Sequence, residues 1–405
     1  MTILSQRIRL DLNNVQTSWI ERCAGASRFV FNLGLARWQE IYEAGGKPNW
    51  RTINAEVNAR KNTDLNWLKK IPWAIPNNAL RDLNNAFQHF FRRVKGSDSK
   101  PGYPNFKSKK RTKPAFALEG RAVQFSDKRV KLPKLGWIKT RQELRFPGKI
   151  LSARFTKYAD HWYISVQIEV EASWVYPHRC ETQAVCGVDL GVVDLAVISD
   201  GTRVPAPRIL RRLEGKLRML NKRLSRRTKG GKNWLKAKDQ LARLHERIAN
   251  IRKDVTNNLT ARLVRDFRWI GIEDLNVRGM AANHCLAKSV MDAAMSEVGR
   301  QILYKATLAG SKVAIADRWY PSSKTCSDCG AIFAGLKLGV DNWVCESCGS
   351  VHDRDGNASI NLRNIALAQR DGACRQGSAG SDLRIGTKLP LGQELSSYVN
   401  REVHG

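Results

Sequence analysis

Apolar positions along the chain change period from block to block, and each block predicts a different element. Residues 3–12 (ILSQRIRLDL) predict one short strand. From Val15 to about Ala44, Val15, Trp19, Cys23, Val30, Leu33 and Ile41 fall on one helical face, and Gly45-Gly46 stops the helix. Leu80, Leu83, Phe87, Phe90 and Val94 keep i, i+3, i+4 spacing and predict a second helix over Asn78 to Val94, its aromatics serving as core rather than as base-stacking surface. Between Phe116 and Val170 the period drops to two. In WYISVQIEV, Trp162, Ile164, Val166, Ile168 and Val170 form one buried face, alternating with Tyr163, Ser165, Gln167 and Glu169. KLPKLGWIKTR and LRFPGKI, split by Pro and Gly, predict shorter strands of a small β-barrel or sheet.

A new unit starts near Thr182. AVCGVDLGVVDLAVISDGT predicts a buried strand ending in Asp189, a turn at Gly191, a second strand from Leu195 to Ile198, and another turn at Asp200-Gly201. Two helical stretches follow, on either side of Gly230-Gly231. Leu210, Leu213, Leu217 and Leu220 give them an apolar stripe, with heptads too few and broken for a coiled coil. FRWIGIEDLNV predicts a buried strand from Phe267 to Ile272 with Glu273 and Asp274 at its end. Val290 to Leu308 reads as a helix, SKVAIAD (311–317) as another buried strand, and Asn357-Ala358-Ser359-Ile360 as a helix start. Hairpin, helices, strand, helix, strand, cysteine-rich insert and helix is the order of an α/β, RNase H-like fold. The tail from Asp371 is Gly- and Ser-rich and predicts a disordered or loosely attached segment.

Apolar content of 42% and charged content of 26% over 405 residues leave this picture of a multidomain globular protein unchanged. The charge balance changes it. Sixty-nine Lys+Arg against 37 Asp+Glu give a net charge of +32 and a pI near 10.2. A compact fold with that much like charge repels itself unless a polyanion neutralises it, so nucleic acid is the expected partner. The charge is concentrated. Residues 95–113 hold seven bases against one Asp in a Pro- and Gly-punctuated loop, and Arg208 to Lys253 holds seventeen against three acids. No run approaches the ~20 apolar residues of a membrane span, and MTILSQRIRL lacks a signal-peptide core. Of nine cysteines, four are paired in spacing and five are scattered, which fits a reducing cytoplasm better than a disulfide framework.

The candidate chemistry has two parts. Cys326, Cys329, Cys345 and Cys348 form C-x2-C-x15-C-x2-C, the spacing of a four-thiolate structural zinc site. Asp189, Glu273 and Asp355 stand where strand ends and a helix start would make them neighbours. Such hard oxygen ligands suit a pair of Mg2+ ions that activate water and stabilise a departing 3′ oxygen. Asp194 and Asp353 compete for the first and third positions, and His352 reads as a surface histidine ahead of a water or phosphate contact.

GVDLG, GIEDLNV, RWYPSSKTCSDCG…CESCG and DRDGNASINL resemble the RuvC-type motifs and zinc insert of the transposon-encoded TnpB nucleases, relatives of compact type V CRISPR effectors. Upstream, CAGASRFVFNLGLARW, ALRDLNNAFQHFFRRVKG, GYPNFKSKK and VKLPKLGWIKTR extend the resemblance over about residues 5–370. The resemblance implies a β-barrel wedge domain (1–12 and 114–180) interrupted by a helical recognition lobe (13–113). It further implies a RuvC-like nuclease (181–318 and 352–370), a zinc ribbon (319–351) and a tail (371–405). It also implies a guide RNA from the transposon end, and a double-stranded DNA target beside a short transposon-adjacent motif. Cleavage would be Mg2+-dependent, at Asp189, Glu273 and Asp355. A CRISPR effector, a strand-joining transposase and a non-catalytic nucleic-acid-binding regulator are the competing readings.

Overall fold

The helical period that follows the first strand, β1 (Thr2–Asp11), is realised as a single 30-residue helix, α1 (Asn14–Glu43). Asn13 starts it with a capping box: its Oδ1 accepts from Gln16 N at 2.8 Å, and Gln16 Oε1 accepts from Asn13 N at 3.1 Å. The computed structural model describes residues 2–96, 101–171, 184–336 and 339–375. It divides into two units, Met1–Val175 with Leu217–Glu246, and Tyr176–Lys216 with Arg247–Gly405.

In the first unit, α2 (Trp50–Arg60) is an element that the apolar pattern does not announce. Only Ile53 and Val57 are buried along it, too thin a stripe to read, and the sequence signal is the Asn49 cap on Arg51 N. The next helix, α3 (Ala74–Lys95), begins a turn before Asn78, because Pro76 sits in the first turn, where its missing N–H has no helical partner to lose. Leu80, Leu83 and Phe87 are buried, and Phe87 stacks on Trp38 at 4.2 Å, so these aromatics are core; Phe91 stays exposed.

Strands β2 (Ala115–Glu119), β3 (Gln124–Ser126), β4 (Arg129–Leu132), β5 (Gly136–Thr140), β6 (Lys149–Tyr158) and β7 (His161–Val170) join β1 in one antiparallel sheet, ordered β2-β6-β7-β1-β5-β4-β3. The alternation of WYISVQIEV is realised in β7, whose even-numbered positions from Trp162 to Val170 are all buried. End strands β2 and β3 lie at opposite ends of the order, yet only residues 120–123 separate them in the chain. Seven flat strands would span about 29 Å, and that link reaches only about 18 Å, so the sheet curls. The described part of the basic loop is mostly exposed. Among its described bases Lys107 is the exception, with Nζ 3.4 Å from the Phe31 ring centre and a backbone held at both N and O by Asn32. Burial lowers its ammonium to about 8.

The second unit is built on a five-stranded sheet, β10-β9-β8-β11-β12. Its strands are β8 (Val185–Asp189), β9 (Asp194–Ile198), β10 (Arg203–Pro205), β11 (Trp269–Glu273) and β12 (Lys312–Ala316). β8, β9 and β10 form an antiparallel meander, while β8, β11 and β12 run parallel. Helices α4 (Ile209–Ser225) and α5 (Lys232–Asp266) follow the meander in the chain, and the stretch from Leu217 to Glu246 within them belongs to the first unit. The single helix expected over Val290 to Leu308 is two, because Ala294 adopts a left-handed backbone (φ 54°) between α7 (His284–Ala293) and α8 (Met295–Ala309), with a short α6 (Val277–Ala282) before them. A ribbon of β13 (Asn342–Val344) and β14 (Val351–Asp353) leads directly into α9 (Arg354–Arg375). That helix starts three residues before Asn357 and runs through Arg375, so residues 371–375 of the expected tail are helical; the rest of the tail lies outside the described residues.

Candidate functional site

Two glycines decide where α9 sits. Gly187 on β8 and Gly271 on β11 are register partners in the parallel pair. A Cβ on Gly187 would lie 2.0 Å from Ser359 O, and one on Gly271 would lie 2.1 Å from Leu362 O. Only glycine lets the helix backbone lie against the sheet here. Side chains two residues further along a strand project to the same face. Asp189 and Glu273, which close β8 and β11, therefore face the helix whose first turn carries Asp355.

The electrostatics report the same convergence. Burial pushes the Asp189 carboxyl up to about 7, and the negative fields of Glu273 and Asp355 push it in the same direction. Asp355 is also raised, first by burial and then by the field of Asp353. Ser322 Oγ donates to Glu273 Oε1, which fixes that carboxylate. Among the described residues the three carboxylates do not close to the 4.8 Å mutual separation that the cysteine ligands reach.

The two competing acids are engaged elsewhere. Arg203 pairs with Asp194 at 3.0 Å and also with Asp353. Asp353 accepts from Gly356 N at 2.7 Å and so caps α9. Asp194 opens β9, as its place in the hairpin suggested.

The four cysteines gather into one cluster, with sulfur pairs Cys326–Cys348 and Cys329–Cys345 at 3.6 Å. Both C-x2-C-G segments fold into the same turn. Gly330 N donates to Cys326 O at 3.0 Å, and Gly349 N donates to Cys345 O at 2.8 Å. The glycines that end them have φ of 78° and 75°, where a side chain would be strained. Ser350, through its hydroxyl and backbone, draws the Cys348 thiol down to about 6. A four-sulfur set of this kind could hold a soft or borderline metal ion.

His352 corrects the surface assignment. It is buried, packs on Trp343 with ring centres 4.7 Å apart, and places Nε2 3.0 Å from Cys326 Sγ. The strand pairing Trp343↔His352 turns it inward, which spacing alone does not reveal. The sequence reading also passes over the clamp between cluster and helix. Asn357 Nδ2 and Asn361 Nδ2 each donate to Thr325 O at 2.7 Å, and Asn357 Oδ1 accepts from Ser327 N at 2.9 Å. The legible signals were an Asn pair at i, i+4 and a glycine two residues before each strand acid.

Two family profiles span the residues of the site. The profile of a family described as a probable transposase of the OrfB/IS605 kind matches residues 163–284, which hold Asp189 and Glu273. A Cas12f1-like TNB domain profile matches residues 296–362, which hold the cysteines and Asp355. A helix-turn-helix profile matches residues 1–47, where this structure forms one strand and one long helix. A Streptomyces pristinaespiralis protein named "Putative RNA-guided DNA endonuclease" is 32% identical, covering 89% of this chain and 88% of its own length. An Escherichia coli K12 protein, "Putative RNA-guided DNA endonuclease InsQ", is 32% identical over 89% of this chain and 91% of its own. A "CRISPR-associated endodeoxyribonuclease Cas12f1" from Sulfoacidibacillus thermotolerans is 28% identical, over 52% of this chain and 51% of its own. Matched nearly end to end by such relatives, the chain belongs to the TnpB family of transposon-encoded proteins.

Proposed function

We propose that this protein is an RNA-guided DNA endonuclease that hydrolyses phosphodiester bonds of double-stranded DNA at Asp189, Glu273 and Asp355. The observation that carries the reading is placement: Asp189 and Glu273 close adjacent parallel strands on the face packed by α9, whose first turn carries Asp355. Negative charge of that kind, only partly offset by Arg354 and Arg203, fits divalent cations, and hard carboxylate oxygens fit Mg2+ best. Two Mg2+ held there would supply an activated water and charge stabilisation for the leaving 3′ oxygen. Ser322 orients the Glu273 carboxylate, Gly187 and Gly271 set the depth of α9, and Asp353 with Arg203 fixes the turn that presents Asp355.

The four thiolates fit one structural zinc, with Asn357 and Asn361 tying the knuckle to α9. On this reading the second unit is the RuvC-like nuclease. The curled sheet and helices of the first are the wedge and recognition parts that meet the guide RNA and the DNA next to its transposon-adjacent motif. The +32 charge supports binding of both polyanions. Coverage favours a transposon-borne nuclease over a CRISPR effector, since the matched CRISPR nuclease aligns over about half of each chain.

The test is plasmid cleavage by protein purified with its co-expressed RNA. Asp189→Ala should lower cutting by at least ~10³-fold while RNA affinity stays within a few-fold. Loss of RNA binding as well, or cutting that survives, removes the role given to Asp189.

A further inference from the structure

Trp319 is 86% exposed, the most exposed large apolar side chain among the described residues. An exposed side chain on a loose loop would need no explanation, but this loop is clamped. Trp319 N donates to Asp317 Oδ1 at 2.9 Å and Tyr320 N to Asp317 O at 3.0 Å. Arg318 pairs with Asp274 at 2.6 Å, the residue next to Glu273, and Ser322 bonds Glu273 itself. On the other side Asn361 Nδ2 donates to Ser322 O at 2.8 Å, from the helix that carries Asp355. The loop is thus braced by the two elements that supply Glu273 and Asp355.

Topology puts the indole at the same end of the sheet. β8, β11 and β12 are adjacent and parallel, Asp189 and Glu273 close the first two, and Trp319 follows three residues after Ala316 closes the third. This is the carboxyl end of the strands, where open α/β sheets receive ligands. Among the described residues the indole stacks on no ring and pairs with no cation, in contrast to Trp38 and Trp343, which are stacked on other rings. An exposed aromatic side chain on a hydrogen-bonded backbone beside a carboxylate cluster suits a ligand with a flat π-surface attached to a phosphodiester.

We propose that Trp319 is the stacking platform for an unpaired nucleobase of a single DNA strand entering the Asp189–Glu273–Asp355 cluster. The inference deepens the nuclease reading and rests on it for the identity of the strand. A base stacked there would hold the adjacent phosphodiester in register with the acids, and it would exclude a fully paired duplex, whose bases have no free face.

The test uses the protein purified with its RNA, in an Asp189→Asn background that prevents turnover. Affinity is measured for short single-stranded DNA oligonucleotides lacking complementarity to that RNA. Trp319→Ala should weaken binding roughly tenfold, and Trp319→Phe by less than about threefold. Oligonucleotides abasic at every position should bind Trp319 and Trp319→Ala proteins alike. Binding by Trp319→Ala within about twofold of its parent, or an equal loss on abasic DNA, overturns the proposal. An RNA strand of the same sequence serves as the second arm, and a Trp319 effect confined to RNA also overturns it. The nuclease reading is judged separately, by Mg2+-dependent cutting with Asp189 intact; its failure would leave the binding comparison to decide Trp319.

Discussion

The thiolate knuckle lies within the segment from Ser322 to Asp355, whose two ends reach the carboxylate cluster, and the two sites are assembled in opposite ways. The cysteines are all supplied by residues 326–348 and are drawn together by two matching turns closed by local backbone hydrogen bonds. The acids come from β8, β11 and α9, and they face one another only because a parallel strand pair and a glycine-floored helix contact exist. Sulfurs paired at 3.6 Å form a preformed cluster, whereas the carboxylates are raised by burial and by one another's fields, a charge that a cation on the proposed reading would offset. On the proposed reading, one cluster would make structure out of a metal, and the other would make a metal site out of structure.

The largest effect should come from breaking the cage. Cys326 is buried within it, so Cys326→Ser is expected to drop bound zinc from one equivalent toward zero. Structural zinc contributes on the order of 10–16 kcal/mol of binding free energy to small metal-folded modules. Residues 319–351 should then become protease-sensitive and soluble yield should fall. Metal analysis with limited proteolysis checks this. Asp189→Ala should leave zinc content unchanged, and zinc retained by Cys326→Ser would erase the contrast.

The same contrast explains what the sequence could reveal. C-x2-C-G written twice is a local code, because each turn closes on its own residues, and the cluster was legible without the fold. The three acids were legible only jointly, through the order of strands and helices that brings positions 189, 273 and 355 together. His352 was misread because inward orientation is set by its pairing with Trp343, a contact that spacing does not encode. α2 escaped notice because two buried residues make no period, and the break at Ala294 because nothing in its chemistry demands a left-handed backbone. The alternation in β7 and the helical stripe of α3 were legible because burial there follows a single period.

Gly271→Ala tests the dependence of the acids on the helix contact. The new Cβ meets Leu362 O at 2.1 Å and must lift α9, at a cost of about 1–3 kcal/mol, as for other overpacked sites. Asp355 would move away from Asp189, so Mg2+ affinity and cutting should fall, while zinc content holds because the cage closes locally. Calorimetric Mg2+ titration beside metal analysis reads both. Unchanged Mg2+ affinity would mean that the glycine pair does not set the carboxylate geometry. Gly215→Ala, where no atom lies within 4 Å, should be stabilising instead, by roughly 0.5–1 kcal/mol.

The smallest effect is a proton. The folded Asp189 carboxyl at about 7 lies above its unfolded value near 3.9. Between these values the folded form binds more protons than the unfolded one, so this residue's contribution to stability falls as pH rises through the window. Above pH 7 the whole penalty of an ionised, repelled Asp189 is present. Asp189→Asn should therefore raise the metal-free Tm at pH 8 by about 2–4 °C, with the difference shrinking toward pH 4, where the carboxyl is protonated in the folded protein. Saturating Mg2+ should reverse the sign, because the cation then favours the carboxylate. Near pH 7 Mg2+ binding should release about half a proton from wild-type protein, measurable as a buffer-dependent binding enthalpy, and none from Asp189→Asn. Equal enthalpies in all buffers would show that Asp189 does not sense the metal, and would separate it from the cluster that its neighbours' fields describe.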